Sequence, residues 1–164
     1  MSKVATSKTE TLKVILRSGN SIQKINTLIY IMENHIKFPI RYLHDLLYDS
    51  DKKVQSTAAF VLSKLGNKSS IKYLLNLWSV MNNKHTHLKR QILIALIDIG
   101  GIKSLKKISP SFSHWHVSLQ ELVIEYIAQT KNEKIISSFI TGLKGQKPNK
   151  KMILILKKNN IIWK

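Results

Sequence analysis

One apolar pattern recurs along this chain at a nearly fixed interval, and the recurrence limits its fold more than any other feature. "IRYLHDLL" begins at Ile40, "IKYLLNLW" at Ile71 and "IKSLKKI" at Ile102, each 31 residues after the last. Leu43, Leu74, Leu105 and Ile136 therefore share one position, and Leu46, Leu77, Ile108 and Phe139 share another. Apolar residues three and four apart lie on one stripe of an α-helix. A single helix with such a stripe has nothing to bury it against, so the copies must cover one another.

Each of these segments follows a second amphipathic stretch. In "DSDKKVQSTAAFVLSKLG", residues 49 to 66, the stripe is Val54, Ala58, Val61, Leu62 and Leu65. Asp49, Ser50 and Asp51 each offer an oxygen to cap the helix start, and Gly66 suits the left-handed residue that closes many helices. A shift of 34 lays the stretch on "NKHTHLKRQILIALIDIG", with Leu88, Ile92, Ala95, Leu96 and Ile99 on the stripe and Gly100 at its end. A further shift of 31 gives Leu119, Val123, Tyr126, Ile127 and Thr130. Ile22, Ile25, Ile29 and Met32 read as a more divergent earlier copy. Pro39 before one second helix and Pro110 after another suit its start and its stop.

The pairing predicts an all-α chain, an α-solenoid of about four to five stacked helix pairs in a single domain over 1–164. The repeats are placed at 8–47, 49–78, 83–108 and 114–143, with a C-terminal half-repeat at 149–164 covering the open apolar end. "DSDKKVQSTAAFVLSKLGNKSSIKYLLNLW" resembles a short HEAT repeat: an acidic turn, a Val, small residues, a Leu-Gly end and a second apolar helix. The family pattern often carries Arg after its Val, and here that place holds Gln55 and then Lys89. The resemblance implies an architecture; it does not imply a function, because HEAT-like proteins are mostly scaffolds and binding modules with a few enzymes.

Charge is the second constraint. Lys and Arg number 27 against 9 acids, a net +18, which draws polyanions or an acidic protein surface toward the chain. Only Arg17, Arg41 and Arg90 are arginine. An AT-rich genome explains Lys in place of Arg but not the shortage of acids. The scarcity of the planar Arg fork argues against base-specific DNA readout. On the second helices, residue 41 points away from the stripe, and its equivalents at intervals of 31 are Arg41, Lys72, Lys103 and Lys134, all basic. Lys107 extends this column on the same face and Lys106 flanks it. In a HEAT-like solenoid the second helices usually line the concave side, so these six residues form the expected partner-binding site. "KGQKPNKK", residues 144 to 151, reads as a solvated basic loop.

Catalytic and metal patterns are sparse. His85 and His87, then His114 and His116, form two His-x-His pairs before first helices, a spacing that holds a metal only when the pairs converge. Equivalent turns lie about one repeat apart, so turn and capping roles are expected and no metal. Deoxyhypusine hydroxylase, a HEAT-like enzyme, carries repeated His-Glu dipeptides for iron, and this chain has none. Trp115 is expected to pack in its turn. Glu121 and Glu125 share a helix face, read as solvated. Phosphate-binding loops, nucleophile elbows and zinc-helix motifs are missing from the sequence.

The expectation is a non-enzymatic, cofactor-free binding module that docks an acidic partner protein, as an immunity or inhibitor protein neutralising a toxin does. The alternative is a nucleic-acid binder gripping phosphates, with a HEAT-like DNA-repair glycosylase as its enzymatic variant. The Trp, Asp and Arg of such glycosylases cannot be placed on this sequence. Tyr42 and Tyr73 recur beside the basic column, but Ser104 and Ile135 follow, so no full aromatic row supports base stacking. With no cysteine, no secretory leader and no long apolar run, a cytoplasmic chain without a membrane span is expected.

Overall fold

Asp51 shows how the repeat starts a helix. Its carboxylate accepts from the Lys53 amide at 2.7 Å, while its own amide donates to the Asp49 side chain at 2.9 Å. A cap of this kind stabilises a helix by about 1 kcal/mol. Asn20 builds the fuller version, a capping box exchanged with Gln23. Asn132 caps through the Ile135 amide.

The computed structural model describes residues 2–82, 84–143 and 150–161, and the side chains of 8–82, 84–143, 150 and 153–161 within them. These residues form nine α-helices, one 3-10 helix and no strand. The α-helices are α1 Ser2–Ser18, α2 Ser21–Glu33, α3 Arg41–Leu46, α4 Lys52–Leu65 and α5 Ser70–Val80, then α6 Thr86–Ile108, α7 Val117–Gln129, α8 Glu133–Gly142 and α9 Lys150–Lys158. A 3-10 helix, Ser109–His114, follows α6 and holds Pro110 in its first turn. No helix among the described residues is long and apolar enough to cross a membrane.

The chain divides into two compact units, Met1–Met81 with His87–Ile99, and Asn82–Thr86 with Gly100–Lys164. In the first, α2 packs on α4, α1 on α2 and α3, and α3 on α4. Val54, Ala58, Val61 and Leu62 of α4 are buried, as are Leu88, Ile92, Ala95 and Leu96 at the corresponding places of α6. Leu43, Leu46, Leu74 and Leu77 are buried from the second helices. In the second unit α7 packs on α8 and α9. Leu105, Ile108, Leu119, Val123, Ile127 and Phe139 are buried there, while Ile136 is half-buried. Phe112 meets Phe139 edge-on at 5.5 Å.

Four local expectations change. The stripe of α2 is not Ile22, Ile25, Ile29 and Met32. Ile22 is 71% exposed, and the buried residues are Thr27, Leu28 and Ile31, which correspond to Ala58, Ala59 and Leu62 at a shift of 31. At the same shift Ile22 falls on Lys53, which is also exposed, so it lies off the buried stripe. Gly66 is not left-handed, since its φ of −67° and ψ of 162° are extended. Glycine is required there by close approach, because a Cβ would sit 2.2 Å from the Leu62 carbonyl oxygen. The break in the third repeat falls on Gly101 rather than Gly100, at φ 55° and ψ −146°, a region open essentially to glycine alone. Finally, the segment placed as repeat 8–47 contains part of α1 as well as the pair α2 and α3, with Leu12 and Leu16 buried from that extra helix. At the other end, α9 is helical and buries Leu156. Residues 149 and 162–164 of the expected half-repeat, and 144–149 of the basic loop, lie outside the described residues.

Candidate partner-binding surface

The place that follows the first stripe residue is polar and buried in α4, α6 and α7. Gln55 donates its amide to the Asp49 carbonyl, and Gln120 donates to the Phe112 carbonyl at 2.8 Å. Lys89 holds the same place in α6, buried with its ammonium 5.1 Å from the centroid of the Trp78 ring, and burial pushes its pKa down. At a shift of 31 Lys24 joins the column in α2, its Nζ 2.7 Å from Asp49 Oδ2. Gln55 and Gln120 each satisfy a backbone carbonyl that folding has removed from water, so these two places are structural and not a free binding surface.

The expected site residues lie on the outside. In the first unit Arg41 opens α3 and Lys72 lies in the first turn of α5, both exposed. Each stands over the ring of the next residue, Arg41 at 5.2 Å from the Tyr42 centroid and Lys72 at 4.8 Å from that of Tyr73. In the second unit Lys103, Lys106 and Lys107 are exposed near the end of α6, and Lys134 is exposed at the start of α8. Lys106 donates to Ser138 Oγ at 2.6 Å, which turns it toward α8. Among the described residues none of the six forms an ion pair; the pairs present are Lys13–Glu10, Lys24–Asp49 and Lys64–Asp98. The second unit has only Glu121, Glu125 and Glu133 as acids, so its field is uncompensated.

The aromatic positions beside the column do not form a stacking platform. Tyr42 is 5% exposed and Tyr73 is half-buried against His44, ring to ring at 4.1 Å. Ser104 takes the third place, buried, with no hydrogen-bond partner for its hydroxyl among the described residues.

His44 itself was not marked by any sequence pattern. It is buried, shares a 2.9 Å hydrogen bond between Nε2 and Ser70 Oγ, and has its pKa lowered. Burial is the main cause; Asp45 opposes it and Lys72 adds to it. The ordinary value is 6.5, so the unfolded chain takes up a proton there before the folded chain does. His44 therefore contributes stability that is present above pH 6.5 and is lost as pH falls from there through its lower folded pKa. Urea midpoints measured from pH 8 to pH 5 should fall in wild type and fall less steeply in His44→Gln. Equal slopes would mean that His44 does not carry the acid sensitivity.

Of the histidine pairs, His116 takes the expected capping role, while His87 lies within α6. His116 caps α7, its Nδ1 accepting from the Ser118 amide at 3.3 Å, and His85 occupies the N-cap place of α6 without a side-chain cap bond. No group of three potential metal ligands exists among the described residues. Trp115 is buried against Phe112 and donates to Ser111 Oγ at 3.0 Å, a packing role. Glu125 is exposed and Glu121 half-buried on α7. Compared with known proteins, the chain matches no family model, no curated protein and no solved structure.

Proposed function

We propose that the chain is a short HEAT-like α-solenoid that acts as a non-enzymatic binding module, docking an acidic partner protein on the basic outer faces of its second helices. An immunity or inhibitor protein that neutralises an acidic toxin is the role that suits a chain of this size and charge. The observation that carries the reading is that Arg41, Lys72, Lys103 and Lys134 are all exposed and have no acid partner among the described residues, while their neighbours Leu43, Leu74 and Leu105 are buried. Surface lysines normally sit among acids of the chain's own surface, and leaving them uncompensated favours an anionic ligand.

Nucleic acid is the second reading, favoured by the net +18 alone. Scarce arginine and tyrosines already covered by the chain's own cations weigh against it. The two are separated by salt. Duplex DNA, single-stranded DNA and RNA should each bind wild type at about 50 mM salt and lose about a thousandfold or more by about 200 mM, as counterion release requires for several phosphate contacts. Nanomolar nucleic-acid binding that survives physiological salt would replace the protein-partner reading.

A further inference from the structure

A cleft of about 240 Å³ opens in the first unit where α1, α2 and α3 meet, and none of the six basic residues above lines it. Its apolar walls are Leu16 and Leu46, both buried. Its polar lining is Arg17, Tyr42, Asp45 and the ion pair of Lys24 with Asp49. Arg17 donates from Nη2 to the Tyr42 hydroxyl at 3.0 Å and lies 4.9 Å from the centroid of that ring. A guanidinium has five N–H donors in a rigid fork, so one hydrogen bond to a fixed phenol orients the fork and leaves most of it open. Arg41 also stands over Tyr42, so two of the chain's three arginines converge on one ring. Neither has a carboxylate partner among the described residues, although Lys13 and Lys24 close by are each paired.

We propose that this cleft seats one carboxylate side chain of the acidic partner, with Arg17 as the fork that grips it. The assignment rests on the protein-partner reading given above. The volume suits one side chain with part of its backbone, the two leucines take its methylenes, and the open guanidinium donors take its carboxylate in the bidentate geometry that Arg favours. Asp45 is exposed and lines the same cleft, so its charge opposes an incoming carboxylate and the Arg17 fork must outweigh it.

The probes are two capped decapeptides, one of ten glutamates and one alternating Glu with Ala, titrated into the full chain at about 50 mM salt. Arg17→Gln should weaken the alternating peptide about tenfold, the usual scale for a charge-assisted bidentate contact, with an unchanged helical spectrum. Arg17→Lys, which keeps the charge and loses the fork, should recover only part of that loss. Asp45→Asn should tighten both peptides several-fold, because the charge it removes opposes the seated carboxylate in either. If Arg17→Gln and Asp45→Asn both bind as wild type while Lys72→Glu, Lys103→Glu and Lys134→Glu together weaken binding, the cleft is not the anchor and the wider reading stands. If wild type binds neither peptide, that wider reading falls and the cleft assignment with it. Displacement of the alternating peptide by inorganic phosphate at equal concentration would overturn the carboxylate assignment in favour of a phosphate site.

Discussion

The Leu74→Asp variant is expected to lose cooperative unfolding altogether. Leu74 is fully buried in α5, at the sequence-repeat position it shares with Leu43 and Leu105. Truncating such a leucine to alanine costs about 2–5 kcal/mol from lost burial and the cavity left behind. Aspartate adds the cost of an unpaired charge, or of a neutralised acid with its hydrogen bonds unmade, in a place with no polar partner. Domains of this size are stable by only about 5–15 kcal/mol, so the sum reaches the whole margin. Urea titration followed by circular dichroism should show a sloping, non-cooperative trace for Leu74→Asp and a lowered but sharp midpoint for Leu74→Ala. A cooperative Leu74→Asp transition near the wild-type midpoint would remove this residue from the core and undermine the 31-residue register with it.

Reversing the four basic residues proposed to meet the partner should have the opposite profile, with the fold intact and binding lost. Arg41, Lys72, Lys103 and Lys134 are exposed and make no ion pair among the described residues, so Glu at all four leaves the core intact, the main loss being the cations over Tyr42 and Tyr73, about 0.5–1 kcal/mol each. Surface substitutions away from such contacts usually stay within about 0.5 kcal/mol each. Toward an acidic ligand, however, each change replaces attraction with repulsion. If each reversal costs about 0.7–1 kcal/mol, the four together weaken binding by about 100-fold or more. Isothermal titration with the polyglutamate decapeptide reads this directly, beside a melting curve for the fold. Unchanged affinity in the fourfold variant would mean that the column is ordinary solvated surface, produced by a lysine-rich composition.

The second helices were legible because their signal depends on one thing, an apolar residue at a fixed interval. Leu43, Leu74 and Leu105 are all buried and Arg41, Lys72 and Lys103 are all exposed, as the 31-residue spacing requires. The face of α2 was misread because several isoleucines flank its true stripe, and isoleucine on a small helix does not say which side has a neighbour. Thr27, a polar residue in the place of Ala58, hid the register further. Gly66 and Gly101 look alike in sequence, each following a first-helix stripe. One is held by a carbonyl too close for a Cβ and the other by a backbone angle, and only coordinates separate those causes. The sequence does not mark Arg17 as a site residue, because it lies on α1, outside the repeating pattern, and its partner Tyr42 lies 25 residues away. His44 was passed over for a related reason, since the Ser70 hydroxyl that holds it is 26 residues further on.

The junction before α4 has a practical consequence for a chain this rich in lysine. Trypsin cuts after Lys and Arg, so nearly every surface segment here offers it a bond, and what limits cleavage is whether the backbone can be drawn out into the protease. At residues 49–53 it cannot easily be. Asp49 is held by Lys24 through its carboxylate and by Gln55 through its carbonyl, and the amides of Asp49, Asp51 and Lys53 are all bonded. Lys52 and Lys53 are exposed, yet they belong to the first turn of a capped helix whose entrance is tied from both sides. Limited digestion of this chain therefore maps order instead of composition, and the bonds after these two lysines are withheld although they lie in plain view.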